Sequence, residues 1–222
     1  MSRTIVLASA VTLALLTAAS PLQAHEPAAS RPAPTASPAA VRCPTAEETA
    51  KVMQRYTEPT AGLPFATAPA LKMPESVVAA AMPAKMSVGV SASHFRAVWD
   101  TLPAWGEVLG VVIKGGSVFE IETRIPEGKP SERSAFFNLG KAALTGHVRA
   151  DLMGSIHLLE VPSRDGLVRG IFFYGQDGQG VVGYFISGEG REPTAEQSAA
   201  FARTRALLEG LPRVCAAPSA GT

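Results

Sequence analysis

The strongest constraint on this chain lies between Glu107 and Ser187. Runs rich in β-branched and aromatic residues follow one another there: EVLGVVI (107–113), SVFEIE (117–122), AFFNL (135–139), ALTGHVR (143–149), SIHLLEV (155–161), LVRGIFFY (167–174) and VVGYFIS (181–187). Turn signals punctuate them, among them Lys114-Gly115-Gly116, Arg164-Asp165-Gly166 and Asp177-Gly178-Gln179-Gly180. No helical pattern intervenes, and links this short join antiparallel strands, because parallel neighbours need long crossovers.

Helical signals flank this block. Thr45 and Glu48 fit a capping box, ahead of a stripe of Val52, Met53 and Tyr56. A proline-rich loop through Pro59, Pro64 and Pro69 follows, then short helices over Pro74–Met82 and His94–Leu102. Thr194 and Gln197 make a second capping box, for a helix that buries Phe201, Leu208 and Leu211 and ends at Gly210-Leu211-Pro212. The expected fold is α+β: an antiparallel β-meander sheet of about seven strands, flanked by short helices and a C-terminal helix.

The N-terminus reads as a secretory leader. Arg3 precedes the apolar run Ile5 to Ala18, and Leu22-Gln23-Ala24 offers a small residue for cleavage. The expected organisation is a signal peptide over residues 1–24, a Pro/Ala-rich flexible segment over 25–42, and one domain over 43–222. No later segment reaches the roughly 18 continuous apolar residues of a membrane helix, so no span is expected after cleavage. The expected location is periplasmic or secreted. Loss of Arg3 takes the 20 basic residues to 19, equal to the 19 acidic ones. A neutral chain lacks the basic field that nucleic acid requires. Cys43 and Cys215 stand at the two ends of the domain, and in an oxidising compartment such a pair is expected as a disulfide. Two separate thiols are the alternative.

The sequence contains no Gly-rich phosphate loop, no GxSxG elbow and no HExxH, and a cysteine nucleophile is not expected because both cysteines sit at the ends of the domain. A non-enzyme is expected. Of the histidines, His25 and His94 fit solvated positions, while His147 and His157 fall on strands read as neighbours. No third or fourth ligand completes a zinc site. Haem needs less: one imidazole for iron, an apolar wall, and cations for the propionates. His147 and Arg149, two apart on a strand, share a face. Phe136 or Phe137, with Phe172, Phe173 and Phe185, can supply the wall, or be ordinary sheet core. A second axial ligand can come from His157, Tyr184, Met153 or water.

Four segments carry a resemblance in order: PESVVAAAMP (74–83), FRAVWDTLPAWGEV (95–108), FFNLGKAALTGHVRAD (136–151) and GIFFYGQDGQGV (170–181). Together they resemble the haem-utilisation carrier family called HutX or ChuX, over residues 74 to about 210. The resemblance implies a haem-binding antiparallel sheet flanked by helices, often a homodimer. It sets His147 at the family's proposed iron ligand and Arg149 at a basic place. The cofactor-binding set expected is His147, Arg149, Phe137 and Phe173, with His147 on the iron. Ile113 stands where family members carry a second histidine, and Val182–Glu189 lacks the family's later cation. The reading is an exported haem-binding carrier or scavenger. The alternative is a non-haem structural or interaction module that kept the fold and lost the site.

Overall fold

The computed structural model describes residues 41–215 apart from positions 59, 165 and 189. The proposed leader, His25 and the lead up to residue 40 lie outside the described residues. In chain order the elements are α1 (Ala46–Arg55), α2 (Pro64–Leu71), α3 (Glu75–Ala81), β1 (Ser87–Ser91), α4 (Phe95–Trp99), β2 (Glu107–Lys114), β3 (Ser117–Arg124), β4 (Gly128–Pro130), β5 (Phe137–Leu139), β6 (His147–Val148), β7 (Met153–Ser163), β8 (Gly166–Gly175), β9 (Gly180–Ser187) and α5 (Ala195–Glu209).

Six strands form one sheet in the order β1-β7-β8-β9-β2-β3, and β4-β5-β6 form a second. Every pairing between these strands is antiparallel, as the short turns require. The β2–β3 hairpin turns on Gly115 and Gly116, at φ 57° and 81°. Two successive positive φ values favour glycine and match the twist of a tight hairpin.

The main sheet is covered on both faces, so its strands follow a two-residue rhythm into two cores. Val88, Val90, Ile156, Leu158, Ile171, Phe173, Tyr184 and Ile186 meet Phe95, Trp99, Trp105, Phe201 and Leu208. The alternate residues Leu159, Val161, Phe172, Tyr174 and Phe185 meet Val52, Tyr56, Val78, Ala79 and Met82. The α5 side is pinned by Thr204, whose Oγ1 accepts from Trp105 Nε1 at 3.0 Å and lies 2.9 Å from Thr101 Oγ1. Both predicted capping boxes are formed, at Thr45–Glu48 and Thr194–Gln197.

Several expectations change. The continuous meander is limited to β7-β8-β9, because β9 pairs next with β2, which lies far back in the sequence. The run 143–149 contracts to two strand residues, and it joins β5 rather than β7. His147 and His157 therefore belong to different sheets. The proline-rich loop contains α2, since Pro64 occupies the first helical turn, where no amide donor is needed. The structure adds β1 and β4. Each is short and interrupted by glycine or proline, and pairing defines it rather than composition.

Cys43 and Cys215 are joined, with a Cα–Cα distance of 5.6 Å, and no other cysteine exists in the chain. The bond ties the residues ahead of α1 to the segment after α5. That segment lies along β1, with Val90 bridging Arg213 and the Val214 amide donating to Gly89 O at 3.1 Å.

Candidate functional site

The small sheet packs one face inward and leaves the other open. Phe137 on β5 lies opposite Val148 on β6, and both join the core with Leu139. The alternating residues must face out. Asn138 lies opposite His147, and Lys129 on β4 lies opposite Asn138. Directly opposed residues share a face, so Lys129, Asn138 and His147 form a row across three strands. Lys129 stands two strand spacings from His147, about 10 Å.

His147 is exposed, and its Nδ1 lies 2.8 Å from Asn138 Oδ1. A carbonyl oxygen only accepts, so Nδ1 carries the proton and donates. The lone pair is thereby set on Nε2, which the Asn138 contact leaves open. Metal-binding imidazoles are commonly held this way, with the far nitrogen hydrogen-bonded to an oxygen.

Phe136 lies beside this imidazole. It is 40% exposed, and its ring centroid is 5.8 Å from that of His147. The Arg149 guanidinium carbon lies 5.7 Å from the same ring centre. Phe136 therefore bridges the two expected polar residues. Arg149 is not unengaged, however. It donates to both carboxylate oxygens of Asp151, at 2.7 and 2.6 Å. This pair holds the Asp151 carboxyl below its ordinary range.

The two aromatic residues expected as a haem wall fall elsewhere. Phe173 has no exposed surface and packs against Phe95 and Trp99. Phe137 faces the same core, with ring centroids 5.2 Å from Phe95 and 5.7 Å from Trp99. As placed, Phe173 cannot touch a surface ligand. Phe137 contributes only to the floor of a cleft of about 650 Å³, lined also by Arg96, Phe136, Ala150 and Met153. Of the adjacent pair, the alternation puts Phe136 on the His147 side.

The candidate second ligands also separate. His157 is buried in the main sheet, on the face covered by α1–α3, and Tyr184 is buried in the opposite core. Met153 reaches the edge of the 650 Å³ cleft. Lys129 was missed in the sequence because β4 has only three residues, Gly-Lys-Pro. Among the described residues no group of three or more His, Cys, Asp or Glu side chains comes together that could hold a metal ion.

An antiparallel sheet covered by helices, with one histidine presented from a small side sheet, defines the molecule as an α+β protein with a candidate single-ligand face. Residues 88–204 match the haem-utilisation ChuX/HutX family, and the chain belongs to it. It is 32% identical to the intracellular haem transport protein HutX of Vibrio cholerae, over 143 residues that make up 63% of this chain and 72% of HutX. The fold superposes on the haem-binding protein ChuX with a TM-score of 0.61 at 27% identity, covering 70% of this chain and 97% of ChuX. It also matches a crystal structure from Erwinia carotovora, with TM-score 0.62, 27% identity, and coverage of 72% and 96%.

HutX corrects one expectation. That relative is intracellular, which overturns the periplasmic or secreted location expected for this chain. The exported qualifier falls with it. No helix among the described residues is long and apolar enough to cross a membrane.

Proposed function

We propose that the protein is a non-enzymatic haem carrier that takes haem as cargo on the open face of its small sheet. His147 ligates iron through Nε2, Phe136 covers part of the macrocycle, and Arg149 and Lys129 meet the propionates. One observation carries this reading: the 2.8 Å contact with Asn138 leaves His147 in the tautomer that binds metal. The residues present fit the group. Haem supplies the iron that accepts the lone pair, and the protein orients the imidazole and balances the anionic edge. Phe137 acts from beneath, by holding β5 against Phe95 and Trp99.

The exposed setting suits a carrier, since a single ligand on an open face lets cargo leave as readily as it arrives. The working unit is residues 43–222, as a homodimer. Support for the second copy comes from the edge strand β3, where Val118 and Phe119 are 43% and 57% exposed. An unpaired edge with apolar side chains invites a partner strand.

The test is a haemin titration of the purified protein followed by absorbance, with His147→Ala alongside. A saturable Soret band that the substitution abolishes is the expected result. An unchanged band in His147→Ala would move the iron elsewhere, and no band in either protein would remove haem as the cargo.

A further inference from the structure

A second cavity, of about 280 Å³, lies on the other face of the main sheet from the packed small sheet. Its lining includes Ser87 and Gly89 of β1, His157 of β7, the C-terminal end of α3, and Arg213 to Cys215. At liquid density it equals about nine water volumes, too little for a macrocycle and enough for a small anion.

His157 is 1% exposed, and its Nε2 has no hydrogen-bond partner among the described residues. Leaving a buried imidazole nitrogen unpaired is costly, so its persistence asks for a reason. The ring is seated with care. Tyr174 meets it edge-on at 5.5 Å between centroids. Gly89 gives it room, for a Cβ there would lie 2.3 Å from Cε1. Ser87 Oγ stands 3.1 Å from Nδ1. A hydroxyl that donates to Nδ1 leaves the ring proton on Nε2, as an unanswered donor.

The second donor is Arg213. It lines the same cavity and makes no ion pair among the described residues. The Val90–Arg213 bridge, the Val214 amide bond to Gly89 O and the Cys43–Cys215 disulfide hold its backbone beside the cavity. No carboxylate is among the described residues that line it. A cation, a neutral N–H donor and no acid favour an anion with oxygen acceptors.

We infer that this cavity is a binding site for one small oxyanion, a phosphate or a carboxylate, that accepts from His157 Nε2 and pairs with Arg213. The site is separate from the haem face and does not depend on it.

The experiment is an NMR titration of the full, disulfide-bonded protein with sodium phosphate and, separately, sodium acetate. Ionic strength is held constant with sodium chloride, which has no oxygen to share between two donors. The readout is the His157 imidazole, assigned by comparison with His157→Gln. A saturable shift at His157, with His94 and His147 unmoved, is expected for at least one anion, and the arm that saturates distinguishes phosphate from carboxylate. Arg213→Gln, an exposed change that spares the core, weakens that binding about tenfold or more. A His157 signal that neither anion moves overturns the inference, as does an Arg213→Gln protein that titrates like the parent.

Discussion

His147 Nδ1 lies 2.8 Å from Asn138 Oδ1, and the two residues are register partners across β5 and β6. Neither residue is in the core, so the bond orients the ring without supporting the fold. Substituting Asn138 should therefore change haem binding more than stability. Asn138→Ala is expected to weaken haemin affinity by about 10- to 100-fold, the usual effect of losing a ligand's outer partner. Asn138→Asp keeps an acceptor at Nδ1 and should retain most of the affinity. Absorbance titrations measure both, and thermal melts of the two variants should stay close to the parent.

Arg149 is clamped by Asp151 while it lies over Phe136. A propionate must compete with that carboxylate. Asp151→Asn should release the guanidinium and raise haem affinity a few-fold, whereas Arg149→Ala or Lys129→Ala should lower it a few-fold, because exposed ion pairs are weak. Raising salt should shrink all three differences. If Asp151→Asn and Arg149→Ala shift affinity in the same direction, the propionate role of Arg149 is wrong.

The large sheet was legible because its hairpins announce themselves: Gly115-Gly116 and Asp177-Gly178 sit between alternating apolar runs. β1 was not, since SVGVS is short and gains its strand character only by pairing with β7. The two-residue period cannot place Arg149, because regular strand stops at Val148; what brings His147 and Arg149 together is the Phe136 ring that both lie against. The same period could not say which of Phe136 and Phe137 faces out, because both suit either side until the small sheet docks on Phe95 and Trp99. Lys129 stayed hidden for a related reason. Gly128 and Pro130 read as loop, and only pairing with β5 lifts Lys129 into the row with His147.

The Cys43–Cys215 bond spans a sequence separation of 172 residues. In the chain-entropy model a loop this long adds about 5 kcal/mol at 25 °C, and measured values commonly fall to about 2–4 kcal/mol. Cys43→Ser with Cys215→Ser, or reduction of the parent, should lower the denaturant midpoint accordingly. The C-terminal segment along β1 should loosen first, visible as faster amide exchange at Val214. Reduction that leaves the midpoint unmoved would mean that the hydrogen bonds to β1 alone hold this segment.

His157 gives a pH signature of its own. Burial, with a smaller contribution from the Arg213 charge, lowers its pKa from 6.5 to about 3. Above pH 6.5 the imidazole is neutral in both folded and unfolded chains and has no effect on pH dependence. As pH falls below 6.5 the unfolded chain takes up a proton that the native state refuses, so stability drops. The slope from this one group approaches about 1.4 kcal/mol per pH unit until the native ring also protonates near pH 3. Denaturant melts from pH 7 to pH 4, in buffers free of phosphate and carboxylate, should show a steeper loss for the parent than for His157→Gln. Added phosphate should flatten the parent's curve toward the variant's, because a bound anion favours the protonated ring. Parallel curves for the two proteins would mean that the buried imidazole accepts its proton as readily folded as unfolded.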